Sequence, residues 1–336
     1  MGAAALRIAP SAVLDAGKQA PKRALVGSVE TVLGPLDASR LGFTLSHEHV
    51  CFIPHELFTD RTAAVSTMVG KLKEAKAAGV DTIIDLTTFD AGRDVRFGQE
   101  VSRKSGIQIV AATGFRFPHD SYNTQSVEQI AELFIREIEH GIEDTGIKAG
   151  VIKVASQSAA ILPSEQKGFK AAARASKATG VPIETHSDAR RRSGEPQAAI
   201  FEAEDLSPAR VSLGHSDDTD DVNYLIALAK RGYTLGIDHI FWGAVENTKD
   251  QPDYVKEKLQ VPWQKRAGYV KQLIDAGFGD KIFLSNDWEL ERDTINPDGL
   301  LFNTRKTIPY LTQLGVSQRE IHAITVDNPR RFFARG

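Results

Sequence analysis

The chain has 336 residues, 41% hydrophobic and 25% charged, which is room for one barrel of about 250 residues with additions or for two ordinary domains. Its 41 basic and 44 acidic residues leave a net charge of −3 with no concentrated basic tract, so a nucleic-acid footprint is excluded and a small, neutral or weakly charged substrate is expected. Cys51 is the only cysteine, ruling out an intrachain disulfide, and no apolar run approaches the roughly 18 residues of a membrane span.

Residues 1–28 are rich in alanine, carry Pro10 and Pro21, and lack both a long apolar run and a basic start. They read as a flexible tail and not as a secretion signal. A cytoplasmic location is expected, with the periplasm or a membrane surface as the alternative if the tail is the remnant of a leader. Residues 29–336 then form one domain. A short hairpin at 28–40 turns at Gly34-Pro35. Eight β-rich runs follow near 43–49, 80–87, 107–114, 150–155, 181–186, 210–215, 233–238 and 282–287. Helical periodicity lies between them. Residues 62–78 carry Val65, Met68, Val69 and Leu72 on one face. SVEQIAELFIREIEHGIED opens with a Ser126 and Gln129 capping box, and 219–231, 262–277 and 317–325 repeat the pattern. No repeat, linker, GxGxxG turn or P-loop interrupts the series. The expected fold is an α/β protein, a (β/α)8 TIM barrel. An open doubly wound sheet would instead gather its ligand residues at one switch point.

Several runs end on a residue able to bind a metal: His47 and His49, Lys153, His186, His215, and Asp287. In a parallel barrel all strands present their C-terminal ends at one rim, so these residues converge there. His47 and His49 share one side of their strand. Lys153 sits inside the apolar run GVIKVAS, where a lone ammonium is costly. It serves as a Schiff-base amine, a buried ion-pair partner, or a carbamate formed with CO2; near two dications the anionic carbamate leads. In GHSDDTDD, Asp220 and Asp221 suit helix capping, whereas Asp218 suits an acid behind the rim. His239 in GIDHI can receive a proton from Asp287 and pass it on. Cys51 reads as a small buried residue.

The motifs FTLSHEHV, GIEDTGIKAGVIKVA, GHSDDTDD, DHI, SNDW and DNPRRFF together resemble the phosphotriesterase family of the amidohydrolase superfamily, from about residue 28 to the C-terminus. The resemblance implies two divalent ions, zinc in the usual case, and a homodimer. His47, His49 and Asp287 would hold the more buried ion, His186 and His215 the more exposed one, and carbamylated Lys153 would bridge them. Asp287, His239 and Asp218 would form a proton shuttle. Within the family, activity divides between organophosphate triesters and lactones. His239, and the absence of a tyrosine from GFRFP, are similar to the triesterases. Arg116 stands where those enzymes resemble one another in a tryptophan, and the loop from Trp288 to Ile295 is short, so Arg116 and Trp288 are the expected pocket residues. A rim charge at Arg116 paired with Glu289 is the alternative. The expectation is a zinc-dependent phosphoric triester hydrolase (aryldialkylphosphatase), acting by attack of metal-activated hydroxide on phosphorus, with a lactonase or carboxylesterase on the same centre as the alternative.

Overall fold

The computed structural model describes residues 27–335 except 55–59, 117–123, 157, 159, 246–255, 257–259, 295 and 297. Most of the expected tail, residues 1–26, therefore lies outside the described residues, as do 117 and 118 of the GFRFP loop and parts of the loop after Asp287. Gly27 is already bonded, donating to the Arg335 carbonyl at 2.7 Å. Ser28 opens β1 (Ser28–Thr31), which pairs antiparallel with β2 (Gly34–Asp37) across a turn in which Gly34 takes φ 108°. That conformation favours glycine.

Eight parallel strands follow in sequential order: β3 (Thr44–Glu48), β4 (Thr82–Asp85), β5 (Gln108–Gly114), β6 (Val151–Ala155), β7 (Ile183–His186), β8 (Val211–Leu213), β9 (Thr234–Ile237) and β10 (Ile282–Leu284). Each expected run contains one of them. The intervening helices are α1 (Arg61–Ala77), α2 (Val95–Ser105), α3 (Val127–Glu139), α4 (Pro163–Thr179), α5 (Gly194–Ala203), α6 (Val222–Lys230) and α7 (Trp263–Asp275). Three short helices, α8 (Ile308–Gln313), α9 (Gln318–His322) and α10 (Asn328–Phe333), finish the fold. It is a (β/α)8 TIM barrel with an N-terminal hairpin. The first and last barrel strands meet through a parallel bridge between Glu48 and Trp288, and Asp287 N donates to His47 O at 2.9 Å.

Local chemistry sets the helix ends. In α3 the Ser126 hydroxyl accepts from Gln129 N while the Gln129 side chain accepts from Ser126 N, satisfying two donors that the first turn leaves over. Ile130, Phe134 and Ile138 repeat every four residues on its buried face. The expected helix through 144 stops at Glu139, because Gly141 turns at φ 119° and a separate 3-10 turn follows. Asp221 caps α6 by accepting from Tyr224 N at 3.0 Å.

The strand pleat sorts the core into two clusters. Ile109 and Ala111 of β5 join the larger one, against the helices, with Leu72, Phe134, Phe169 and Leu235. Val110 and Ala112 join the smaller, with Ile84, Val151 and Phe283, the hairpin residues Val29 and Leu36, and Phe332 and Phe333 of α10. Val32 N bonds Ile109 O at the start of β5, so the hairpin covers the N-terminal end of the barrel. The Phe283 ring contacts both C-terminal phenylalanines, with centroids 5.0 and 5.6 Å away. The opposite end is free to carry polar groups.

Candidate metal centre and proton relay

Five strands (β3, β4, β8, β9 and β10) stop short of their expected ends, and the two longest overshoots to end on an expected metal ligand are those of β8 and β10. β8 ends at Leu213 and β10 at Leu284. His215 and Asp287 then adopt φ 57° and 50°, a left-handed conformation that is uncommon for residues with a Cβ and that concentrates at functional sites. Leaving the strand this way turns both side chains into one cluster with residues from β3, β6 and β7.

Within that cluster His49 Nε2 lies 3.1 Å and His47 Nε2 3.4 Å from Asp287 Oδ1. Lys153 Nζ lies 3.0 Å from His47 Nε2, and His186 Nδ1 is 2.8 Å from His215 Nε2. These contacts form two groups, His47–His49–Lys153–Asp287 and His186–His215, brought together where the His47 and His215 rings lie with centroids 4.9 Å apart. Ligand atoms of His47, His215 and Asp287 lie within 4.8 Å of one another, a spacing that suits a shared metal ion. Three of the six expected ligands are deeply buried: His47, Lys153 and His215 are no more than 2% exposed.

Electrostatics prepare the same groups as donors of lone pairs. Burial, with the Lys153 charge second, holds His47 well below its usual range; burial and the neighbouring His239 do the same for His215. Burial also pushes Lys153 down to about 8, toward the neutral amine that can react with CO2. Burial raises Asp287, but hydrogen bonds from His239 and His49 and the charges of His215 and His47 outweigh it, and the carboxyl sits well below the usual range. Neutral imidazoles and an ionised carboxylate fit a divalent cation.

Behind the expected ligands lie residues to which the sequence alone assigns no role. Asp238 spans two of them, with Oδ2 2.8 Å from His47 Nδ1 and Oδ1 2.8 Å from His215 Nδ1. A carboxylate there accepts hydrogen bonds from both Nδ1–H groups and leaves both Nε2 lone pairs facing the cluster. Burial pushes Asp238 up to about 7, so its charge depends on nearby cations. Thr87 Oγ1 faces His49 Nδ1 at 3.2 Å and donates to Asp85 at 3.0 Å, while Gln197 holds the His186 carbonyl at 2.8 Å. Glu48 points away from its two histidine neighbours and accepts from Ser285 Oγ, Asn286 N, Asn286 Nδ2 and Trp288 N at 2.7–3.1 Å, tying the closing seam together. Asp238 and Glu48 had a signal in common with Lys153: a charge inside a strand-like run.

The three residues expected as a relay are in hydrogen-bond contact. His239 Nε2 lies 3.0 Å from Asp287 Oδ2, and His239 Nδ1 lies 3.0 Å from Asp218 Oδ2. The His239 ring stacks on His215 with centroids 3.9 Å apart. At the mouth, Arg292 lies 4.3 Å over the Trp242 ring, which stands edge-on to His239. Two pocket expectations come out differently. Trp288 is completely buried in the larger core cluster, its indole N–H donating to Asp293 at 2.8 Å, so it packs the seam and lines no open surface. Glu289 pairs with Arg292 at 2.7 Å, whereas Arg116, half-buried after β5, donates its backbone N–H to Asp90 and its charge helps depress Lys153.

These features define a class: a (β/α)8 barrel whose C-terminal mouth presents a buried, metal-compatible cluster of histidines and carboxylates. The phosphotriesterase family model matches residues 27–333, and the chain belongs to that family of hydrolases. It is 34% identical over 334 residues to a phosphotriesterase homology protein of Mycobacterium tuberculosis, covering 91% of this chain and 98% of that one. It is 32% identical over 321 residues to an aryldialkylphosphatase of Saccharolobus solfataricus, with 89% and 97% covered. An N-acetyltaurine hydrolase of Mus musculus is 27% identical over 350 residues, with 92% and 98% covered. No helix among the described residues is long and apolar enough to cross a membrane.

Proposed function

We propose that this hydrolase acts on organophosphate triesters, as an aryldialkylphosphatase with two divalent ions, zinc by preference. His47, His49 and Asp287 would hold one ion and His186 and His215 the other, with Lys153 as a carbamate between them. When bound, such ions lower the pKa of water and polarise the phosphoryl oxygen.

The observation that carries the reading is the division of labour at Asp287. Its Oδ1 faces the histidine ligands while its Oδ2 faces His239, so one carboxylate can help hold an ion and still take a proton. In this mechanism the oxygen of a water attacks phosphorus as the bond to the leaving group breaks. Asp287 Oδ2 accepts the water's proton and passes it to His239 Nε2, and Nδ1 gives its own proton to Asp218 Oδ2. The leaving oxygen departs with the bonding pair. Burial of the cluster keeps bulk water from competing for these hydrogen bonds. The lactone reading uses the same residues on a carbonyl carbon, and Arg116, half-buried after β5, carries donors suited to either oxygen.

Zinc-loaded protein assayed on diethyl 4-nitrophenyl phosphate and on a panel of lactones separates the two, with kcat/KM as the measure. Higher kcat/KM on the triester is expected; a lactone preference of tenfold or more, about 1.4 kcal/mol of transition-state discrimination, overturns the triester assignment. Elemental analysis finding one metal per chain after loading with excess zinc and bicarbonate would remove the binuclear centre.

A further inference from the structure

The acidic run after His215 contains a feature that the relay alone does not explain. Asp217 and Asp218 stand side by side in a 3-10 turn, 0% and 5% exposed, and both meet one guanidinium. Arg266, brought in by α7 and 1% exposed, donates from Nη1 to Asp218 Oδ1 at 2.8 Å, to the Asp217 carbonyl at 2.8 Å and to Asp217 Oδ2 at 3.3 Å. Each carboxylate then holds His239 by a different handle. Asp217 accepts the backbone N–H of Asp238 at 3.1 Å and of His239 at 3.2 Å. Asp218 takes the ring at Nδ1.

We infer that Arg266 is the positioning residue of the proton relay, fixing the main chain of His239 through Asp217 and its imidazole through Asp218. The inference rests on the relay described above. Its physical basis is geometric. With one Asp218 oxygen bound to Arg266, the other is left for Nδ1, which orients the ring so that Nε2 faces Asp287. The guanidinium is planar, and its Nε–H also donates to the Val261 carbonyl at 3.3 Å, which fixes the direction of Nη1; a lysine ammonium, a point charge on a flexible stem, lacks that second anchor. Arg266 also offsets the cost of two adjacent buried carboxylates, and its removal would leave them uncompensated. Arg266 makes its relay contacts on the far side of Asp218 from His239, so its influence reaches the reaction through other residues.

The test uses full-length zinc-loaded protein and four forms: parent, Arg266→Lys, His239→Asn and the double variant. Lysine keeps a positive charge beside the two aspartates; a melting curve and metal analysis verify that the variant is folded and loaded. On diethyl 4-nitrophenyl phosphate, Arg266→Lys should lower kcat by roughly 10–100-fold, the scale of a misplaced catalytic group, with KM nearly unchanged. In the His239→Asn background the same substitution should cost less than twofold, because the residue it positions is gone. A nitrogen-15 spectrum of labelled histidines gives a readout independent of turnover. The His239 ring, assigned by its loss in His239→Asn, should show one defined protonation and tautomer state in the parent and a mixture in Arg266→Lys. Equal fold-losses in both backgrounds, or an unaltered tautomer with unaltered kcat, overturn the role of Arg266 while leaving the relay standing. Parent-like kcat in His239→Asn, or no turnover by the parent, overturns the underlying reading instead, and an unaltered tautomer then removes the Arg266 role as well.

Discussion

The two ends of the barrel interior solve opposite problems with the same strands. At the N-terminal end Ile84, Val110, Val151 and Phe283 meet the hairpin and the C-terminal phenylalanines in an apolar plug. Two residues further along β6, Val151 gives way to Lys153, and four residues beyond Phe283, past Ser285, stands Asp287. One end gains stability by removing hydrocarbon from water, at about 1.5–3 kcal/mol for a large side chain. The other keeps ionisable groups buried, a cost that partnership with opposite charges or a cation offsets. The lesson is that stability and chemistry are segregated along a single strand, so substitutions at the two ends should fail in different ways.

The largest separation is expected at Lys153. Lys153→Ala should lower kcat by at least about 100-fold, beyond the 10–100-fold typical of outer partners of a metal ligand, without lowering the melting temperature of the metal-free protein. Added formate or propionate should restore part of the activity by supplying the missing bridge. A borohydride-stable adduct at Lys153 with substrate would instead support a Schiff-base amine. At the opposite end, Phe283→Ala should cost about 3–5 kcal/mol of stability in denaturant titrations, while kcat per folded, metal-loaded molecule stays near that of the parent. A catalytic defect larger than the stability loss explains would dissolve the segregation.

A smaller effect tests the groups behind the ligands. Asp238→Asn should weaken metal binding by about 10–100-fold, because an amide cannot accept from both His47 and His215 on the geometry that Asp238 uses. Competition with a chelator measures it, and unchanged affinity would show that the two imidazoles orient themselves. The smallest change is expected at the seam. Burial pushes Glu48 up to about 8, so the folded protein holds this proton more tightly than the unfolded chain. Stability from Glu48 is therefore present at low pH and is lost as pH rises toward 8. Glu48→Gln, whose amide nitrogen opposes a donor, should cost about 1–3 kcal/mol at pH 5, and the gap to the parent should narrow by pH 9. A gap that widens with pH would reverse the sign.

How much of this was legible in one dimension depended on what each residue contacts. The eight strand runs could be read because buried parallel strands are short apolar stretches between turn signals. Helices α2, α4 and α5 were not singled out. In α4 the buried face is largely alanine, at Ala171, Ala172, Ala173 and Ala175, which carries little apolar contrast against the other face. The strand ends were overrun at His215 and Asp287, since a positive φ at a residue with a Cβ leaves no mark in the pattern.

By itself the sequence determined the barrel, its hairpin and the set of residues at the rim, because strand period and the direction of parallel strands send known positions to one end. It also put Asp218, His239 and Asp287 forward together through the motifs that carry them. Tertiary structure decided the rest. Asp238 spans two histidines that are 168 residues apart in the chain, as the numbering of His47 and His215 shows. Arg266 looked like any helical arginine until α7 placed it against Asp217 and Asp218. Trp288, expected at the pocket, belongs to the seam because Asp293 and the closing strands enclose it. Periodicity reports which face a residue is on, but a hydrogen bond between distant segments depends on distances that only the packed chain sets.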